Sequence, residues 1–252
     1  SNGIPDHMVA TFPNRGNPNA ISEQKYRLEV PVRPALREGA SGRMMSAWGV
    51  ALNGVVFDPG TAEVYNDGDR SSPWHYEALM SNTEMGTTPK IKVGLGLDQN
   101  HGHVQPNGAY HYHGIPTLLF ERLSGGDKKM TQVGWAADGF PVYAIYAFAK
   151  SEDPKSELKK MKSSYRLKTA DRGGDGKETP TGKPDGSFGL DFEYVAGHGD
   201  LDEFGGTAGM AFIVIEARRH KMRFWGLYIA AAFITAFAFV FPLFLGFREL
   251  AL

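Results

Sequence analysis

Residues His101-Gly102-His103-Val104-Gln105-Pro106-Asn107-Gly108-Ala109-Tyr110-His111-Tyr112-His113 constrain the fold more than any other stretch. They hold four of the chain's eight histidines, in two His-x-His pairs around Pro-Asn-Gly. Asn-Gly between two strand-like runs is a strong hairpin signal. In a strand, residues i and i+2 share a face, so each pair presents two imidazoles side by side. The register decides the chemistry. If Pro106-Asn107-Gly108 is a three-residue loop with Gly108 left-handed, His103 lies opposite His111 and His101 opposite His113. All the imidazoles then share one face, and Tyr110 and Tyr112 share the other. If Asn107-Gly108 alone turns the chain, His103 falls opposite Tyr112 and the pairs separate onto opposite faces.

Other stretches repeat this grammar. Trp48–Phe57 carries Asn53-Gly54 between apolar arms, and Thr131–Tyr143 carries Asp138-Gly139 in the same place. Pro184-Asp185-Gly186 before Ser187–Val195 marks a fourth hairpin. The first two stretches look alike, which repeated hairpin grammar explains better than a weak internal duplication does. With 31 Gly, 15 Pro and 12% aromatic residues, the composition favours strands and turns. Tyr26–Val32 reads as an edge strand, confined there by Pro31. Ser71–Met80 reads as a short helix with Ser72 as N-cap and Pro73 at its first position. Lys155–Ser164 reads as a solvated surface helix, and residues 169–187 as a mobile loop. The expected fold is mainly β: an antiparallel, hairpin-rich domain over residues 1–203 with a few short helices.

After Glu203 the character changes. Phe224–Phe247 carries no charge over 24 residues. At about 1.5 Å per residue this is ample for a hydrocarbon core of about 30 Å. Trp225 and Tyr228 stand near one end, as interfacial aromatics do. We therefore expect a transmembrane helix over 224–247, preceded by a junction with a basic flank over 204–223. Arg218, Arg219, Lys221 and Arg223 place the N-terminal side of the span in the cytoplasm by the positive-inside rule.

The net charge of −1 and the absence of Cys offer no argument for nucleic acid as a partner and exclude disulfides and thiolate chemistry. Imidazoles grouped on a hairpin suit a divalent transition metal, zinc or copper first. His101, His103, His111 and His113 are the candidate ligands. Asp98 is a candidate carboxylate ligand, imidazole partner or general base, or else a turn residue. Asp138, before Gly139, has the same two readings. Four imidazoles closing a tetrahedron would argue for binding or structure. Three with an open position would argue for a metal-dependent hydrolase that activates water. A structural histidine cluster in a surface or interaction module is the remaining alternative. The identity of a small-molecule or protein partner is not readable. No nucleophile elbow, phosphate loop or dinucleotide fingerprint is present, and Gly94-Leu95-Gly96 is too short to count as one.

Several stretches carry a resemblance: SNGIPDH at 1–7, FPNRGNPNAI at 12–21, GVALNGVVFDPGTAE at 49–63, LGLDQNHGHVQPNGAYHYHG at 95–114, VGWAADGFPVYA at 133–144, SSYRLK at 163–168 and DFEYVAGHGDLDE at 191–203. Residues 1 to about 203 resemble the YHYH domain family, named for the tetrapeptide that stands here as Tyr110-His111-Tyr112-His113. The resemblance implies a β-rich domain with a histidine-based site and no established reaction. It also implies a bacterial and often exported protein, in contrast to the cytoplasmic side that the basic flank suggests. The family pattern continues past Leu-Asp-Glu with a Cys and an aromatic strand. Here Phe204-Gly205-Gly206 follows instead, and the remainder resembles the last helix of a small uncharacterised bacterial membrane-protein family.

Overall fold

The computed structural model describes residues 11–34, 47–65, 71–79, 94–150, 153–195 and 197–200. Three of the expected hairpins form, and they share one turn. Gly54 N–H donates to Ala51 O (2.8 Å), Gly108 N–H to Gln105 O (2.8 Å) and Gly139 N–H to Ala136 O (2.9 Å). Each loop is closed by a second bond, from Ala51, Gln105 and Ala136 N–H to the carbonyls of Val55, Ala109 and Phe140. The closing glycines have φ of 87°, 84° and 90°. This is the three-residue loop that ends on a left-handed residue. The Oδ1 atoms of Asn53, Asn107 and Asp138 each accept from the amide two residues on (3.3, 3.0 and 3.4 Å), so all three side chains are turn-formers.

A fourth copy of this turn carries no glycine. His101 N–H donates to Asp98 O and Asp98 N–H to Gly102 O, both at 2.9 Å. His101 therefore occupies the left-handed position, with φ of 57°. A residue with a Cβ gives up about 1–2 kcal/mol there relative to its right-handed form, although His is among the types that visit it.

These turns link a six-stranded sheet. Its strands are β1 (Gly49–Ala51), β2 (Val56–Phe57), β3 (Gly102–Val104), β4 (Tyr110–Tyr112), β5 (Thr131–Ala136) and β6 (Pro141–Ala144). The order is β3-β4-β2-β1-β5-β6. Neighbours are antiparallel except β2 and β4, which run parallel. On β3 and β4, His103 pairs with His111 and Val104 with Tyr110, the register of a three-residue loop.

One face of the sheet carries the core. Trp48, Val55, Phe57, Val104, Tyr110, Tyr112, Val133 and Val142 are buried there with Leu119 and Phe120. The last two come from α1 (Thr117–Ser124), the one helix longer than a single turn among the described residues. Asn100 Oδ1 accepts from Leu118 N–H at the start of α1 (2.9 Å), satisfying one of the amides that a helix leaves unpaired. Left-handed Gly125 ends it. Tyr110 and Tyr112 are thus core aromatics on the opposite pleat from the histidines.

Two small sheets complete the described fold: β7 (Tyr146–Phe148) with β8 (Leu158–Lys160), and β9 (Tyr165–Leu167) with β10 (Phe192–Tyr194). Four local expectations are corrected. The segment 155–164 is not a helix, because Leu158–Lys160 pairs with Tyr146–Phe148 and pairing outweighs helix propensity. Residues 71–79 form no helix either. Ser72 Oγ accepts from Trp74 N–H (3.3 Å) in a tight turn, and His75 and Tyr76 bridge to Val64 and Phe188. Tyr26–Val32 joins no ladder. Segment 169–187 is held by a buried ion pair. Arg172 donates to both oxygens of Asp191 (2.8 and 2.7 Å) and stacks over Phe188 (5.3 Å to the ring centre).

The transmembrane span over 224–247 and its basic flank lie outside the described residues. Among the described residues no helix is long and apolar enough to cross a membrane.

Candidate metal centre

On the face away from the core, three imidazoles converge. His113 Nε2 lies 2.9 Å from His111 Nε2 and 3.0 Å from His103 Nε2. His111 comes from β4, His113 from the residue following it, and His103 from edge strand β3. His111 and His113 are each 3% exposed, whereas His103 is partly exposed and forms the accessible side of the group.

The opposite ring nitrogens explain why these atoms face one another. Nδ1 of His103 meets Leu95 O at 2.7 Å, and Nδ1 of His113 meets Pro59 O at 3.1 Å. Nδ1 of His111 makes a longer contact with Ala109 O, 3.4 Å. A carbonyl oxygen only accepts, so Nδ1 of His103 and of His113 carries the proton and leaves Nε2 with its lone pair, and the longer Ala109 contact favours the same tautomer for His111. Three lone pairs therefore point into one small volume. Burial pushes His113 well below its ordinary pKa and His111 down to about 3, and the neighbouring imidazoles push in the same direction. Burial lowers His103 as well, opposed by the Leu95 carbonyl and then by the charges of Glu63 and Asp98. Protonation is therefore a poor way to relieve the repulsion. A cation shared by the three lone pairs relieves it. Nitrogens bound to a tetrahedral zinc at about 2.0–2.1 Å stand roughly 3.3–3.4 Å apart, a few tenths of an ångström beyond the two short separations here.

Of the residues expected at the site, the structure brings His103, His111 and His113 together: their ligand atoms lie within 4.8 Å of one another. It does not bring His101. The pairing is the expected one, since His113 N–H donates to His101 O (2.7 Å). Yet the left-handed backbone turns the His101 ring out of the alternation, and its Nδ1 bonds Ile115 O (2.7 Å). Strand alternation assumes φ near −120° or below, and His101 belongs to a turn.

Neither carboxylate joins the group. Asp98 is buried, its Oδ1 accepting from Asn100 and Gly102 N–H (2.8 and 3.1 Å) and its Oδ2 from Tyr110 O–H (2.6 Å). It anchors the Asp98–Gly102 turn and closes over the core tyrosine, whose own pKa rises through burial and then through the Asp98 charge. Asp138 serves its hairpin turn.

The groups that orient the imidazoles are main-chain carbonyls, which no side-chain motif announces. The one sequence signal is the pair Gly94 and Gly96 around Leu95, both left-handed (φ 66° and 65°). They turn the Leu95 carbonyl towards His103.

With this geometry in hand, comparison with known proteins places the chain. Residues 27–218 match the YHYH protein family. The chain belongs to that family. A second match, to a family described as protein of unknown function DUF2834, covers residues 204–250 and overlaps the YHYH match over 204–218. No curated protein and no solved structure matches the chain. The tetrapeptide that names the YHYH family is now legible in physical terms. Its tyrosines fill the core from one pleat of β4, and its histidines supply two of the three converging Nε2 atoms from the other.

Proposed function

We propose that this YHYH protein binds a divalent transition metal, zinc or copper, through Nε2 of His103, His111 and His113. The observation that carries the reading is the set of three Nδ1 atoms turned to carbonyls, which leaves three unprotonated nitrogens facing one point. Metal analysis of the purified full chain tests it, wild type against His111→Ala/His113→Ala. One equivalent in the wild type and none in the variant supports the proposal. Equal, sub-stoichiometric metal in both refutes it.

A second reading is favoured by one further observation: among the described residues His101 is turned away and no carboxylate enters, so the donor set there is three. Three neutral ligands with an open position are the arrangement in which a metal lowers the pKa of bound water. In that reading the protein is a metal-dependent hydrolase, and the bound metal would supply the hydroxide. The imidazoles hold it, and the Leu95, Ala109 and Pro59 carbonyls keep them in the ligating tautomer. Zinc-dependent hydrolysis in an ester, phosphoester and glycoside panel, lost with His103→Ala, supports catalysis. Silence across the panel leaves the binding role alone.

The uncharged run at 224–247 supports a further part of the proposal, that this domain is tethered to a membrane. The basic flank at 218–223 argues for a cytoplasmic N-terminal side and the family resemblance for an exported one. Protease protection of a tagged domain in spheroplasts separates the two.

A further inference from the structure

His103 is the least buried of the three ligands and sits on an edge strand, where little of the sheet holds it. The chain before β1 supplies what the sheet does not. Asn14 Nδ2 donates to Gly96 O (3.0 Å), on the Gly94-Leu95-Gly96 loop whose middle carbonyl receives the His103 Nδ1–H. Asn14 Oδ1 accepts from Gly16 and Asn17 N–H, both at 2.9 Å, closing a tight turn. Gly16 and Gly96 meet backbone to backbone: a Cβ on Gly16 would lie 2.5 Å from Gly96 N, and a Cβ on Gly96 would strike Asn14 Oδ1. On the other side of His103, the carbonyl of Val104 stands on edge strand β3. It accepts from Asn17 Nδ2 (2.9 Å) and Asn19 Nδ2 (2.8 Å). The arm thus grips the loop that orients the ring and the strand that carries it.

We infer that Asn14 is a positioning residue for the metal centre: through Gly96 it fixes the Leu95 carbonyl, and so the ring angle and tautomer of His103. This rests on the three-histidine reading above. Partners that orient ligating imidazoles are typically worth 10–100-fold in metal affinity. Because binding linkage is reciprocal, metal on His103 also stabilises the docked arm.

Asn14→Asp separates the two roles of the side chain. It keeps Oδ1 for the Gly16 and Asn17 amides and replaces the amide donor with an oxygen that repels the Gly96 carbonyl. Asn19→Ala is the control, because Asn17 still caps Val104. The probe is cobalt(II) titrated into the chelator-treated full chain, followed by its visible absorption. We expect wild type and Asn19→Ala to bind with equal affinity and one spectrum. Asn14→Asp should bind at least tenfold more weakly, with a weaker band as His103 is replaced by solvent, while the metal-free melting temperature stays near that of the Asn19→Ala control. The same affinity and spectrum in Asn14→Asp as in the wild type overturns the inference and leaves the three-histidine centre standing. A wild type that takes up no cobalt overturns the reading beneath it. If Asn14→Asp alone melts far below the control, amide hydrogen exchange of residues 14–19 in the wild type decides. Slower exchange with cobalt supports the linkage, and unchanged exchange overturns it.

Discussion

Acid should unfold the metal-free protein earlier than its carboxylates alone would dictate. In the unfolded chain His111 and His113 titrate near 6.5; in the folded chain burial holds His111 at about 3 and His113 well below 6.5. A folded-state pKa below the unfolded one means the unfolded chain binds more protons in the window between them. That stability is complete above about pH 7 and is lost as pH falls below the unfolded value. Between about pH 7.5 and 5.5 each such imidazole contributes a loss of at most about 1.4 kcal/mol, so two contribute at most about 2.8. His103, partly exposed and shifted the same way, adds a smaller share. Glu77 works in the opposite direction, because burial raises it to about 7. The folded form then binds the extra proton, a gain of at most about 1.8 kcal/mol over the same interval. The net loss is therefore about 1–2 kcal/mol in the wild type and about 3 kcal/mol in Glu77→Gln, where the offset is removed. Urea unfolding of both chains with chelator present, at the two pH values, measures these differences. If Glu77→Gln is equally stable at both, the histidines are not held neutral by the fold, and the argument for three facing lone pairs falls.

Three further outcomes follow from the turns and the ion pair. His101→Gly places glycine where the sister turns have Gly54, Gly108 and Gly139. Thermal melts should show it neutral to stabilising by up to about 1 kcal/mol, with metal stoichiometry unchanged; loss of metal would return His101 to the ligand set. Asp138→Asn keeps the turn acceptor and should alter stability by no more than about 0.5 kcal/mol, with cobalt affinity equal to wild type. A variant with an intact melt and lost metal would show a site role for Asp138. Arg172→Met strands Asp191, which is 0% exposed, and should destabilise by about 3 kcal/mol in urea. A change below about 1 kcal/mol would mean that the amides of Gly186 and Phe188 suffice for that carboxylate.

The hairpin that carries the site was legible because a single dipeptide, Asn107-Gly108, announces both the turn and its left-handed residue. The same signal located the hairpins at Asn53-Gly54 and Asp138-Gly139, and hence most of the sheet. It failed at Asn100-His101. That turn has the same hydrogen bonds with no glycine to mark it, so His101 looked like a strand residue in register with His113. The segments at 155–164 and 169–187 were misread for another reason. Polar composition says nothing about a long-range partner, and each is fixed by one, Tyr146–Phe148 in the first case and Asp191 in the second. Least legible were the imidazole acceptors, since any residue could supply the carbonyls of Pro59, Leu95 and Ala109. Only the two glycines around Leu95 hinted that the backbone there is bent for a purpose.

X-ray absorption at the zinc edge of the zinc-loaded full chain addresses the central claim most directly. The account predicts one zinc per chain with three imidazole nitrogens at about 2.0–2.1 Å and the remaining position filled by oxygen. Zinc without imidazole scattering, or the same three-imidazole spectrum retained by His103→Ala, would contradict it.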